Sequence, residues 1–271
     1  MFDAHCHLYD DLLKDKIETY LKEANDLGIT YFLVPSTDNK SMEEAKEFIS
    51  KHKGCFLGAG YYPCDVKYLE NEDVLNQYLK FVEDNRNIIK VIGEIGLDYH
   101  YDNSEREKEL QKKWLVFQID LANKYDLPIC IHSRDAIQDT LNILKEHKVN
   151  KGFYLHAFTA SLEMMKEFLK IGAMFSIGGV ITYKNAENLR QVVKEIPLEN
   201  LLVETDSPYL PPVPYRGKIN EPKYIIETLR KISEIKNIDI KKLDKIVTSN
   251  AIHFFHVENW NFYRLKYYKN I

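Results

Sequence analysis

The sequence predicts an α/β protein, a (β/α)8 TIM barrel with a short C-terminal helical extension. Short apolar runs alternate with amphipathic stretches eight times along the chain. The runs are apolar almost without interruption, the pattern of parallel strands covered on both faces. A length of 271 residues suits one such barrel, so the whole chain, 1–271, reads as a single domain. An open doubly wound sheet fits less well: its first turn usually carries a glycine-rich loop, and none follows His7.

The elements follow in order. Residues 1–7 form the first strand, and 14–27 an amphipathic helix stopped by Gly28. Residues 29–35 (Ile-Thr-Tyr-Phe-Leu-Val-Pro) are the second strand, with a helix at 41–51. The third strand spans 55–62 with a helix at 72–85, and the fourth spans 88–95 (Ile-Ile-Lys-Val-Ile-Gly-Glu-Ile) with a long helix at 105–125. Strands at 128–133, 152–157, 173–181 and 201–206 alternate with helices at 136–146, 162–171, 185–195 and 222–235. Residues 240–257 read as one or two closing helices, and the Tyr- and Lys-rich tail from Glu258 has no assigned element.

Composition narrows the class. Hydrophobic residues at 45% and charged residues at 29% give the ordinary globular balance, with enough core to fold without disulfide staples. A net charge of −4 excludes a broad basic footprint that would coat nucleic acid, but not a local site built around metals. Cys6, Cys55, Cys64 and Cys130 contain no Cys-X-X-Cys and read as packing residues of a reduced, cytoplasmic protein. No signal peptide and no run of about 18 apolar residues is evident, so no membrane contact is expected.

A barrel enzyme assembles its site at the C-terminal ends of its strands. His5 and His7 close the first strand two residues apart, hence on one face. Glu94 lies near the end of strand four, His132 ends strand five, His156 ends strand six and Asp206 ends strand eight. Taken singly, each has an ordinary explanation: a satisfied core histidine, or a carboxylate capping the next helix. Six at one end of one barrel argue for a shared site. His52, His100, His147, His253 and His256 fall in helices or loops and read as structural.

Four imidazoles and two carboxylates are more donors than one open catalytic ion needs, so two divalent ions (Mg²⁺, Mn²⁺ or Zn²⁺) are expected. Glu94, with two oxygens and a place between the groups, would bridge ions about 3.5–4 Å apart. His5, His7 and Asp206 would serve one ion, and His132 and His156 the other. Water between them would be acidified into a nucleophile.

His-X-His, Gly-Glu-Ile-Gly-Leu-Asp, His-Ser-Arg, Leu-His-X-Phe and Glu-Thr-Asp-Ser-Pro together resemble the TatD-like deoxyribonucleases, metal-dependent hydrolases of the amidohydrolase superfamily. The resemblance runs from Met1 to about Val257 and takes in Arg216-Gly217-Lys218-Ile219-Asn220-Glu221-Pro222 and Ser249-Asn250-Ala251. It implies a TIM barrel, divalent metals and phosphodiester hydrolysis, with DNA as the substrate; from the sequence no obligate protein partner is inferred. The family's metal ligands fall on the same six positions. One departure is plain: where the family has Gly-X-His-Pro-His after strand three, this chain reads Gly60-Tyr61-Tyr62-Pro63-Cys64.

Tyr62 is expected to face the metals and donate to a phosphate oxygen, although a phenol is a poor proton shuttle near neutrality. Arg134 suits bidentate contact with a substrate phosphate. The catalytic residues are therefore expected at Asp206, Glu94, Tyr62 and Arg134. Glu204 reads as a buried partner within the barrel rather than a group orienting a ligand. The proline-rich 208–214 run and Arg216-Gly217-Lys218 read as a loop over the site mouth, its basic residues near a polynucleotide backbone. Two other functions fit the barrel. An amidohydrolase or lactonase acting on a small molecule is disfavoured by Glu94, where many such relatives carry a carboxylated lysine. A non-catalytic metal-binding protein has only Tyr62 in its support.

Overall fold

Strand pairing runs in chain order around the molecule, all of it parallel. The strands are β1 (Phe2–Asp3), β2 (Tyr31–Val34), β3 (Cys55–Ala59), β4 (Ile89–Asp98), β5 (Ile129–Arg134), β6 (Phe153–Leu155), β7 (Met174–Ile177) and β8 (Leu201–Val203). The chain just past β1 closes the ring, Ala4 N donating to Val203 O at 3.0 Å and Asp206 N to His5 O at 2.9 Å. The result is a (β/α)8 TIM barrel, seen in a computed structural model that describes residues 1–257. The tail from Glu258 lies outside the described residues.

Helices cover the outside: α1 (Asp11–Lys14), α2 (Ile17–Asp26), α3 (Asn39–Lys51), α4 (Glu72–Asn85), α5 (Glu105–Lys124), α6 (Ile137–Glu146), α7 (Leu162–Lys170), α8 (Glu187–Glu195), α9 (Ile225–Lys236) and α10 (Ile240–Phe254). Several start where the sequence supplies a cap. Asp38 accepts from Ser41 N while the Ser41 hydroxyl accepts from Asp38 N, a reciprocal pair that uses two otherwise free donors of α3. Ser104 and Asp239 cap α5 and α10 in the simpler way.

The barrel has a filled interior and a plugged floor. Phe2, Leu33, Val91, Cys130, Tyr154 and Leu202 point inward and pack with Ala251, Ile252 and Phe255 at the end of α10. The Phe2 and Phe255 rings stack at 5.3 Å, so the closing helix seals the N-terminal ends of the strands. The opposite rim is left for the site. A polar tie closes the ring beneath it: Asp3 accepts from Thr205 N at 2.9 Å and from the Thr205 hydroxyl at 2.5 Å, across 202 residues of sequence.

Apolar runs overstate the strands. The first ladder covers only residues 2–3, although Cys6 N still donates to Leu33 O and keeps the chain extended past it. The third ends at Ala59 rather than Tyr62. The seventh ends at Ile177, and residues 179–182 wind into a 3-10 turn instead of continuing to 181. Gly179 abuts the following loop there, a Cβ on it falling 2.6 Å from Leu210 O. The eighth ends at Val203, before Asp206 adopts a left-handed φ of 58°. The fourth goes the other way, reaching Asp98. The first helical stretch is two helices, broken where Lys16 leaves helical geometry (φ −127°, ψ 10°). The eighth helix starts with a 3-10 turn at Pro222–Tyr224, and the closing stretch is one helix, α10.

Candidate metal centre

The six predicted donors converge at the C-terminal rim. His5 and His7 leave β1 with their Nε2 atoms 3.2 Å apart. Glu94 comes from the middle of β4, where pairing slips between Ile92 and Ile95 against Ile129 and Ile131 of β5. That slip is a bulge, and bulges re-aim side chains. Glycines make the close approach possible. Gly96 has φ +146°, and a Cβ there would lie 1.9 Å from His132 O. His132 is in β5, and His156 and Asp206 stand just past β6 and β8.

Glu94 sits at the middle of the cluster, its two oxygens facing different groups. Oε2 lies 3.3 Å from His5 Nε2 and 3.6 Å from His7 Nε2. Oε1 lies 2.9 Å from His132 Nδ1 and 3.0 Å from His156 Nε2. Asp206 Oδ1 joins the first group, 3.8 Å from His5 Nε2 and 3.6 Å from His7 Nε2. Two overlapping triads, His5–His7–Asp206 and His5–Glu94–His156, are compact enough to hold an ion.

The donors fit divalent metal. Ligands about 2.0–2.2 Å from an ion stand about 3.0–3.5 Å from one another, close to the separations above. The local charge also asks for a cation. Burial opposes the charge on Glu94, yet His156, His132 and His5 hold its carboxyl well below the usual range. Burial likewise opposes a charge on Asp206, and the bond with His7 outweighs it and keeps the carboxyl low. Burial works against protonation of His156 and His132 too, but Glu94 and Glu204 push the first well up, and Asp98 and Glu94 push up the second. Only His5 goes down, through burial and the neighbouring His156.

A cavity of about 690 Å³ opens over the cluster. Tyr62 and Arg134 both line it, but neither is free. The Tyr62 hydroxyl donates to Asp98 Oδ2 at 2.6 Å and lies 3.2 Å from His132 Nε2. Its one proton is thus committed to a carboxylate rather than offered to substrate, which corrects the expected role. Cys64, the other departure, is half-buried, its thiol pushed up to about 11 by burial and then by Asp98. Arg134 is exposed at the rim, its guanidinium over the Tyr101 ring at 5.4 Å and bonded to that hydroxyl at 3.3 Å. Pro208–Pro214 does border the mouth through Tyr209 and Leu210. Arg216 instead lies over the Tyr183 ring at 4.1 Å.

Two carboxylates were undervalued by sequence reasoning. Glu204, read as a barrel partner, accepts from Ala157 N at 2.6 Å and stands 3.7 Å from His156 Nδ1. It therefore backs a candidate ligand. Asp98 was missed altogether. It is fully buried, 3.0 Å from His132 Nε2. The signal was its place four residues after Glu94 in one strand, where alternation puts both on the same face. Of the histidines read as structural, the His52 side chain pairs with Glu18 and that of His100 with Asp135.

Four imidazoles and two carboxylates gathered at the rim of a (β/α)8 barrel are the build of a metal-dependent hydrolase. Residues 2–256 match the family described as TatD related DNase, and the chain belongs to that family. It is 36% identical over 258 residues to YabD of Bacillus subtilis (strain 168), an uncharacterized metal-dependent hydrolase, with 95% of this chain and 99% of that protein covered. In shape it is similar to YJJV, a TatD homolog from Escherichia coli K12, with a TM-score of 0.88 and 27% identity over 95% of this chain and 98% of that one. A TatD family hydrolase from Entamoeba histolytica follows, with a TM-score of 0.85 and 25% identity over 94% and 97% of the two chains. Among the described residues, no helix is long and apolar enough to cross a membrane.

Proposed function

We propose that this hydrolase cleaves phosphodiester bonds, with DNA as its substrate, using two divalent ions held by His5, His7, Glu94, His132, His156 and Asp206. The observation that carries the reading is the division of labour at Glu94: Oε2 faces His5 and His7 while Oε1 faces His132 and His156. A carboxylate with one oxygen toward each group is the geometry of a bridge. Bound there, Mg²⁺, Mn²⁺ or Zn²⁺ would supply an acidified water and polarise a phosphoryl oxygen.

The chain's own residues do the rest. Asp206, on the cavity wall and kept ionised by its neighbours, can accept a proton beside His7. Arg134 stands where a planar guanidinium can take a phosphate further along the substrate. Phe158, buried beside His156, excludes water from that wall. The four free cysteines, three of them buried, support a reducing, cytoplasmic setting. Hydrolysis of an aryl phosphodiester, single-stranded DNA and a dihydroorotate-like amide, each with and without Mn²⁺, tests the proposal. Metal-dependent cleavage of both phosphodiesters is expected, and turnover of the amide alone would overturn it.

A further inference from the structure

Three of the four clustered imidazoles turn Nε2 toward Glu94, and His132 alone turns Nδ1. What stands behind each ring differs as well. His5 Nδ1 meets the Cys130 sulfur at 3.4 Å and His7 Nδ1 the Tyr9 hydroxyl at 3.4 Å. His156 Nδ1 makes no hydrogen bond, Glu204 standing 3.7 Å away. Only His132 has a carboxylate within hydrogen-bond distance of its outer nitrogen, Asp98 Oδ2 at 3.0 Å.

Asp98 is itself fixed on every side. Gln111 clasps its main chain, accepting from Asp98 N at 2.8 Å and donating to Asp98 O at 2.9 Å. Its Oδ1 accepts from His100 N at 2.9 Å, while Oδ2 takes Tyr62 at 2.6 Å as well as His132. The Tyr62 ring meets the His132 ring edge-on, centroids 4.8 Å apart at 61°, and so limits its rotation.

We propose that Asp98, with Tyr62 as its second donor, is a positioning residue that holds His132 as an Nδ1 ligand and makes that nitrogen a stronger one. The inference rests on the two-ion reading above. A neutral imidazole has one N–H and one lone pair. A carboxylate that accepts Nε2–H settles the tautomer, aims the Nδ1 lone pair inward and raises its basicity. The ion between His132 and His156 then depends on Asp98, whereas the ion of His5, His7 and Asp206 does not. Tyr62 acts through His132 rather than on substrate, which gives a role to a phenol at a position where the resembling family has an imidazole.

Side-chain ¹⁵N spectra and Mn²⁺ titration of the full chain test this. In the zinc-loaded protein, His132, assigned by the peaks lost in His132→Gln, should be protonated at Nε2 and metal-bound at Nδ1. Coordination through Nε2 would overturn the proposal. Asp98→Asn should weaken one Mn²⁺ about 10–100-fold, the usual loss when a ligand's outer partner is removed, and leave the other within about twofold. Tyr62→Phe should weaken the same ion less, and the double variant no more than Asp98→Asn alone. Equal weakening of both ions, or of neither, would contradict the assignment. If Asp98→Asn does not fold, Tyr62→Phe decides by the same selectivity, and unchanged binding of both ions counts against the proposal. A wild-type protein saturating at one Mn²⁺ would instead sink the two-ion reading, and the zinc-bound ¹⁵N shifts would still decide the role of Asp98.

Discussion

At the scale of single residues, Glu94 and Glu204 are both buried carboxylates beside His156, yet they should fail differently. Glu94→Gln removes charge from the point shared by all four imidazoles, so kcat/KM should fall by more than about 100-fold with loss of bound metal. Glu204→Gln touches the back of His156 and the Ala157 N–H rather than the shared point, and should stay within about 10–100-fold, the range for a group that orients a ligand. Assays paired with metal analysis separate the two, and equal losses with unchanged metal would reject the bridge. Arg134→Ala should raise KM about tenfold with kcat nearly constant, the pattern of binding shared by ground and transition states. The six converging donors were legible in the sequence because chemistry-bearing side chains interrupt otherwise apolar strand ends. Asp98 was not, because the apolar run of the fourth strand reads as ending at Ile95, whereas its ladder continues to Asp98.

At the scale of elements, the glycines of β4 matter as much as its carboxylates. Gly96→Ala would force a side chain into a left-handed φ and into His132 O. Strain and overpacking together should cost about 2–5 kcal/mol, read from urea unfolding at constant slope. α10 is tied to the strand it precedes in space: Asn250 donates to Leu198 O at 2.7 Å and Leu201 O at 2.9 Å. Asn250→Ala leaves both carbonyls short of a donor and should cost about 1–3 kcal/mol while sparing the metal affinity of the opposite rim. Element order was readable from the beat of apolar runs alone, but strand ends were not. An apolar run persists wherever a side chain is buried, whereas a ladder persists only where the neighbouring backbone stays in reach. The turns at Gly179 and Asp206 break that reach without breaking the burial.

At the scale of the molecule, the candidate ligands come from five strands or the residues just past them: β1, β4, β5, β6 and β8. A bound ion therefore cross-links the rim, and any ligand that prefers the folded state adds stability, about 2.7 kcal/mol at a hundredfold excess over Kd. Chelation should lower Tm by several degrees, and Mn²⁺ should restore it in proportion to the logarithm of its concentration. A Tm indifferent to metal would show that the rim is not bridged. The Asp3–Thr205 seam carries a further consequence, for the chain while it is being made. Five of the six donors precede residue 200, yet the seam and Asp206 arrive only with the last strand. A product truncated ahead of β8 holds five of the donors but lacks Asp206 and the seam that closes the ring. A chain that stops short of β8 is therefore expected to leave the ring open and its five donors without Asp206.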